Sequence, residues 1–332
     1  MEFGVLYDLR NPASSGIHRA ELYAETLEHI EAVEALGFDT VWLTEHHFID
    51  DEYLPSVLPM AAAVAARTKQ VTIGTAVLLL PLHDPIRVAE DAAVVDVLSN
   101  GRFRLGLGIG YKVEEFEAFQ VDRRHRPSLL EEGIEIIRGA WSDGPFTHHG
   151  RHHSFDNLDV TPKPVQRPGP EIWLAGRAPV PVRRAAEVGD GLIVVGGPDL
   201  YRAYHDAHRA TGRSDPARLC IFAFTYPTHD PDGDERRLGE YAAYRMANYA
   251  KWYGTAGDLP SDEDLLKAAG ASDDTGAMRM FGPPEQVVAE LKAAEEAGAT
   301  AALWFGTLPG ARPSATLPIF ETLAKEDMPA FR

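Results

Sequence analysis

The chain has 332 residues, a formal net charge of −18 and a single cysteine, Cys220. That charge excludes a basic surface for nucleic acid or an anionic membrane, and one cysteine excludes an internal disulfide. The opening MEFGVLYDLR lacks the pattern of a signal peptide, and no apolar run reaches the about 18 residues of a membrane span, so a soluble, cytoplasmic protein is expected.

Short apolar runs alternate with amphipathic stretches along the whole chain. Strands are predicted at 3–7, 40–43, 71–79 and 103–107, then at 171–175, 191–195, 218–225 and 300–305. Helices are predicted at 22–36, 56–67, 85–98, 129–141, 179–188, 199–211, 234–253, 284–297 and 316–325. Pro85 suits a first helical turn, where the N–H it lacks would be unpaired. Gly37 and Gly298 follow helical patterns as C-terminal caps. Eight strands in strict alternation with helices fit one parallel (β/α)8 barrel, a TIM barrel with insertions, and no linker divides 1–332 into two domains. A doubly wound open sheet shares the local pattern.

Two segments break the repeat. The stretch 142–170 is too long for an ordinary connection and reads as an ordered excursion. The stretch 257–282 is polar and rich in Asp and Gly, a candidate lid over the barrel mouth.

In such a barrel the site forms at the C-terminal ends of the strands. Tyr7 and Asp8 follow the first strand and Glu45, His46 and His47 the second, within TEHHF. A carboxylate beside two imidazoles could be a metal site, an acid/base site oriented by Glu45, or structural histidines. Metal binding is disfavoured, because adjacent histidines on a strand end face apart and no partner ligand stands out. The histidines of THHGRHH (148, 149, 152 and 153) lack a neighbouring cysteine or carboxylate pair and read as a turn, so no metal is expected.

GLGIGY (106–111) does not match the G-x-G-x-x-G fingerprint. Its glycines either thin the barrel wall or let a flat ring approach the backbone. In AGRAP (175–179) a helix start and the Arg177 guanidinium could make a phosphate cradle, with Gly196 and Gly197 as an opposite wall, or form a simple βα turn. The aromatic-rich helix bearing Tyr241, Tyr244, Tyr249, Trp252 and Tyr253 reads as packing against the barrel or a partner subunit.

LGFDTVWLTEHHF, VTIGTAVLLLPLHDPIRVAEDAAVVDVLSNGRFRLGLGIGY, PKPVQRPGPEIWLAG and GPPEQVVAELKAAEEAGA together resemble the bacterial luciferase-like monooxygenase family, nearly end to end. The resemblance implies the barrel over the open sheet. It implies that His46 lies beside the reactive edge of a flavin; His47, one residue on and facing away, then falls in the wall. It places a non-proline cis peptide at Ala76-Val77, behind the ring, and flavin-lining positions at Gly108, Gly110 and Tyr111. Phosphate contacts fall on Gly176, Arg177 and Ala178. Two departures stand out. An arginine that grips the flavin phosphate in luciferase is replaced by Ile109, and the glycine ending EFxAFG is replaced by Gln120.

The implied activity is a two-component monooxygenase. Reduced FMN from a separate reductase would react with O₂ in a site where His46 handles a proton, tuned by Glu45 or Asp8. The implied substrate pocket is Tyr7, Asp8, Leu79, Tyr111, Phe224, Tyr226 and Trp304, suited to a small hydrophobic molecule. The alternatives are hydride transfer with the deazaflavin coenzyme F420, and a flavin-binding subunit without catalysis. A homodimer is the family habit.

Overall fold

The eight expected strands all form. The computed structural model describes residues 1–256 and 280–332. We name the strands β1 (Glu2–Tyr7), β2 (Thr40–Leu43), β3 (Thr72–Thr75, continuing at Leu78–Leu79), β4 (Phe103–Gly108), β5 (Glu171–Gly176), β6 (Gly191–Val194), β7 (Leu219–Phe222) and β8 (Ala301–Phe305). Each pairs in parallel with its successor, β4 closes on both parts of β3, and β8 returns to β1. The result is a closed eight-stranded barrel.

Helices surround it, with α4 and α8 set at the cavity: α1 (Arg19–Ala35), α2 (Val57–Arg67), α3 (Pro85–Ser99), α4 (Val113–Ala118), α5 (Arg126–Trp141), α6 (Pro179–Val188), α7 (Pro198–Ala210), α8 (Pro231–Ala256), α9 (Pro284–Glu296) and α10 (Leu317–Thr322). The caps follow ordinary chemistry. Asp84 accepts from the N–H groups of Ile86 and Arg87 ahead of Pro85, and Gly37 and Gly298 take the left-handed conformation at φ 87° and 105°. Among the described residues, no helix is long and apolar enough to cross a membrane.

Side chains alternate between the barrel interior and the helical layer, as strand geometry requires. Leu6, Trp42, Trp173, Ile193, Cys220, Leu303 and Phe305 form the interior cluster. Two tryptophans fit inside because glycines face them: a Cβ at Gly74 would collide with Trp42, and one at Gly191 with Trp173. Their polar edges are satisfied locally, Trp42 Nε1 donating to Thr40 Oγ1 at 2.8 Å and Trp173 Nε1 to Glu171 Oε2 at 3.0 Å.

The run 71–79 is not one strand. It breaks at a cis Ala76-Val77 peptide and resumes at Leu78. The run 218–225 also ends early, at Phe222, and Tyr226–Pro227 pairs instead with Phe281–Gly282 outside the barrel. The excursion 142–170 contains an antiparallel hairpin, Phe146–His149 with Ser154–Leu158. Its histidine-rich turn is held by Glu132 of α5, which accepts the backbone N–H groups of Arg151, His152 and His153. Burial would raise the Glu132 carboxyl, but those N–H groups outweigh it and lower the pKa. Of the expected lid, residues 257–279 lie outside the described residues.

Candidate active site

A cavity of about 470 Å³ opens at the C-terminal ends of the strands. β2 delivers Thr44, Glu45 and His46 to it, and the cis step contributes Ala76 and Val77, with Leu79 after it. β4 and its loop add Gly108, Ile109, Gly110 and Tyr111, and the β5 end adds Gly176, Arg177 and Ala178. Phe222, Phe224 and Phe305 come from the β7 and β8 side, while Met246, Ala247 and Tyr249 of α8 complete that wall. Gly196 and Gly197 are not in the lining.

The glycines of β4 serve the neighbouring strand as well as the cavity. A Cβ at Gly106 would strike the Thr75 carbonyl, and one at Gly108 would strike the Val77 side chain. They let the chain around the cis step press against β4, where Thr75 Oγ1 donates to Gly106 O at 2.7 Å and accepts from Gly106 N at 2.9 Å.

His46 is fixed at both nitrogens. Its Nδ1 lies 2.8 Å from Glu115 Oε1 and its Nε2 lies 2.9 Å from Tyr111 Oη. Glu115 is fully buried, and the same oxygen accepts the backbone N–H of His47 at 2.9 Å. A carboxylate can only accept, so Nδ1 donates to Glu115, and in the neutral form of the ring Nε2 is left to accept from the Tyr111 hydroxyl. The ring also meets Tyr53, Tyr111 and Trp252 with centroids 5.0 to 5.3 Å away. His46 is thus held at Nδ1 by Glu115 and at Nε2 by Tyr111, at the wall of a mainly apolar space.

The expected orienting role of Glu45 is corrected by this geometry. Glu45 Oε1 faces His47 Nε2 at 2.7 Å and His83 Nε2 at 2.8 Å, and its Oε2 accepts from Leu79 N at 3.2 Å. Burial would raise the Glu45 carboxyl, but the two imidazoles outweigh it and lower its pKa. The same pairing raises His83 against the effect of burial. Glu115 orients His46 instead, from the short α4 that the periodicity did not reveal.

Four expected pocket residues lie elsewhere. Tyr7 faces the helical layer, its Oη 2.8 Å from His29 Nδ1, and its neighbour Leu6 lines the cavity. Trp304 likewise faces outward, donating to Thr225 O at 2.9 Å, and Phe305 faces the cavity. The Tyr226 hydroxyl donates to Phe305 O at 3.0 Å behind the wall. Asp8 pairs with Arg245 of α8 at 3.1 Å, both side chains 1 % exposed, so it anchors that helix rather than meeting a ligand. A parallel pair, Arg10–Asp51 at 2.6 Å, lies against Tyr53, Tyr244 and Trp252.

Charge in the lining is concentrated in arginines that sequence spacing only partly revealed. Arg123 and Arg126 join Arg177 there, and Arg126 donates to Gly110 O at 3.1 Å. The α6 N-terminus reaches the same surface through Ala178 and Pro181. Three guanidinium groups and a helix N-terminus suit a phosphate, and the apolar walls suit a flat ring system. This donor set fits a phosphate-bearing flavin, and it does so without an arginine at Ile109.

Comparison with known proteins shows the family. The uncharacterized protein y4vJ of Sinorhizobium fredii is 34% identical over 202 residues, 60% of this chain and 56% of the relative, so the match spans little more than half of that protein. The oxygenase component of the flavin-dependent trigonelline monooxygenase of Acinetobacter baylyi is 27% identical, covering 94% of this chain and 90% of that one. The oxygenating constituent of 3,6-diketocamphane monooxygenase from Pseudomonas putida, solved with FMN, superposes with a TM-score of 0.82 at 20% identity, covering 99% and 98% of the two chains. The model of the luciferase-like monooxygenases matches residues 1–301, and the chain belongs to that family.

Proposed function

We propose that this protein is the oxygenating component of a two-component flavin monooxygenase, acting on a small hydrophobic organic substrate. The observation that carries the reading is His46, held between Glu115 and Tyr111 at the edge of an apolar cavity that also gathers three arginines. Reduced FMN, when bound, would supply the electrons that let O₂ oxidise the substrate. Arg177, Arg126 and Arg123 would hold its phosphate, and Ala76, Val77, Gly108 and Gly110 would border its ring.

The chain's own residues then have distinct tasks. His46 Nε2 exchanges a proton with whatever group replaces or meets the Tyr111 hydroxyl, and Glu115 holds the ring in one tautomer throughout. Phe222, Phe224, Phe305, Met246 and Tyr249 exclude water and offer the apolar contacts that select the substrate. A separate flavin reductase and a homodimeric assembly belong to the same proposal.

The test is a titration with FMN, anaerobically reduced FMN and the deazaflavin coenzyme, followed by tryptophan fluorescence. Trp252 sits against His46, so occupancy of the cavity should quench it. Saturable binding of reduced FMN supports the reading. Binding of the deazaflavin alone would replace it with hydride transfer, and binding of none would remove the site.

A further inference from the structure

Beside the cavity, and sharing Glu45 with its lining, lies a second polar cluster that the proposed chemistry does not use. Glu45 and His47 leave the end of β2, and His83 arrives from the loop before α3. One ligand atom from each lies within 4.8 Å of the other two. His46 and His47 do face apart, as their adjacency requires, but the fold supplies the partner that the sequence did not reveal. Glu45 and His47 are buried, and the His83 side chain is 31 % exposed.

We propose that Glu45, His47 and His83 form a binding site for a divalent transition cation of the zinc class, with water completing the coordination. Two imidazoles and one carboxylate are a donor set that zinc takes in open sites. The outer support is in place: the Leu79 N–H occupies Glu45 Oε2 and leaves Oε1 turned toward both rings. Phe119 packs edge-on to His47 at 4.8 Å and gives the site an apolar side. The exposed edge of His83 gives a hydrated cation a path from solvent that does not cross the flavin cavity.

The geometry needs a small adjustment. Bonds of about 2.0–2.2 Å in a tetrahedron set ligand atoms roughly 3.3 Å apart, whereas the present contacts to Glu45 Oε1 are 2.7 and 2.8 Å. Those contacts are made through protons on Nε2. A cation replaces them once each neutral imidazole moves its proton to Nδ1, leaving the Nε2 lone pair for the metal. Bound there, it would tie the β2 end to the loop before α3 and fix the wall at Leu79.

Titration of the flavin-free protein with Co²⁺, followed by visible d–d absorption and then by displacement with Zn²⁺, tests this directly. One Co²⁺ per chain is expected. His83→Gln keeps a hydrogen-bond donor toward Glu45 but removes the imidazole, and should weaken binding by more than about 10-fold, the lower bound for losing even an outer-shell partner. His47→Gln repeats the test from the other ligand, with far-UV circular dichroism reporting that each variant is folded. The double variant His149→Ala/His152→Ala, in the histidine-rich turn, should bind as the wild type does. Absence of a d–d band in the wild type, its persistence in His83→Gln, or its loss in the turn variant would each overturn the proposal.

Discussion

Replacing Asp8 by Asn should destabilise the protein by about 3–5 kcal/mol, although Asp8 touches nothing in the cavity. The pair it forms with Arg245 is buried, with 3.1 Å between Oδ2 and the guanidinium nitrogen. At that distance and an effective dielectric constant near 20, two unit charges attract by about 5 kcal/mol. Arg245 also donates to the Thr307 carbonyl and lies 3.9 Å from the Phe305 ring centroid, so it has no route to water when its partner is removed. Asp8 raises the pKa of Arg10 together with Asp51, which makes the group a balanced set of two acids and two bases. Asp8→Asn leaves that set with an excess positive charge in a buried place. Adding Arg245→Met restores neutrality, so the double variant should be more stable than Asp8→Asn alone. Urea denaturation of the two single variants and the double variant measures this as a cycle. An Asp8→Asn cost below about 1 kcal/mol, the range of an exposed pair, or a double variant weaker than both singles, would refute the reasoning.

Three further outcomes follow from particular residues. Arg177→Met should weaken FMN binding by about 1.5–3 kcal/mol, the worth of a charged hydrogen bond, and leave riboflavin binding unchanged, read by fluorescence titration of both ligands. Asp327 is buried, and burial raises its carboxyl from 3.8 to about 7, with Glu326 and Glu285 adding to the shift. Its folded-state value is the higher one, so the stability it contributes is full below about pH 4 and is lost as pH rises to 7, at about 1.4 kcal/mol per unit. Asp327→Asn should remove that slope from a plot of stability against pH; an unchanged slope would show that Asp327 is not its source. Gln120 holds a left-handed conformation at φ 57° where the family pattern has glycine, and Gln120→Gly should raise the melting temperature by relieving about 1 kcal/mol of backbone strain. A lower melting temperature would mean that side-chain contacts outweigh that strain.

The barrel was legible because its signal is repetitive. Apolar runs and amphipathic helices alternate eight times, and each strand boundary needs to be right only to within a residue or two. The site is less forgiving. Reading Tyr7 and Trp304 as pocket residues placed them one position from Leu6 and Phe305, and one position on a strand moves a side chain to the other layer. The partner of His46 was missed for a different reason. Glu115 lies 69 residues away on a helix of six residues, too short for any periodicity to register. A sequence signal did exist, a carboxylate set beside the buried Phe116 in EEFEAF, but only the fold brings it to the imidazole. His83 likewise reads as an ordinary polar residue in LPLHDP until the loop before α3 is placed against β2.

Stopped-flow mixing tests whether this cavity shelters reduced FMN while it reacts with O₂. Protein loaded anaerobically with reduced FMN is mixed with oxygenated buffer, and the appearance of oxidised FMN is followed by absorbance. If the cavity holds reduced FMN, the course should be distinctly slower than that of free reduced FMN, and should change again in His46→Gln, which removes the imidazole from the cavity wall. A trace identical to free reduced FMN, in wild type and variant alike, would contradict it.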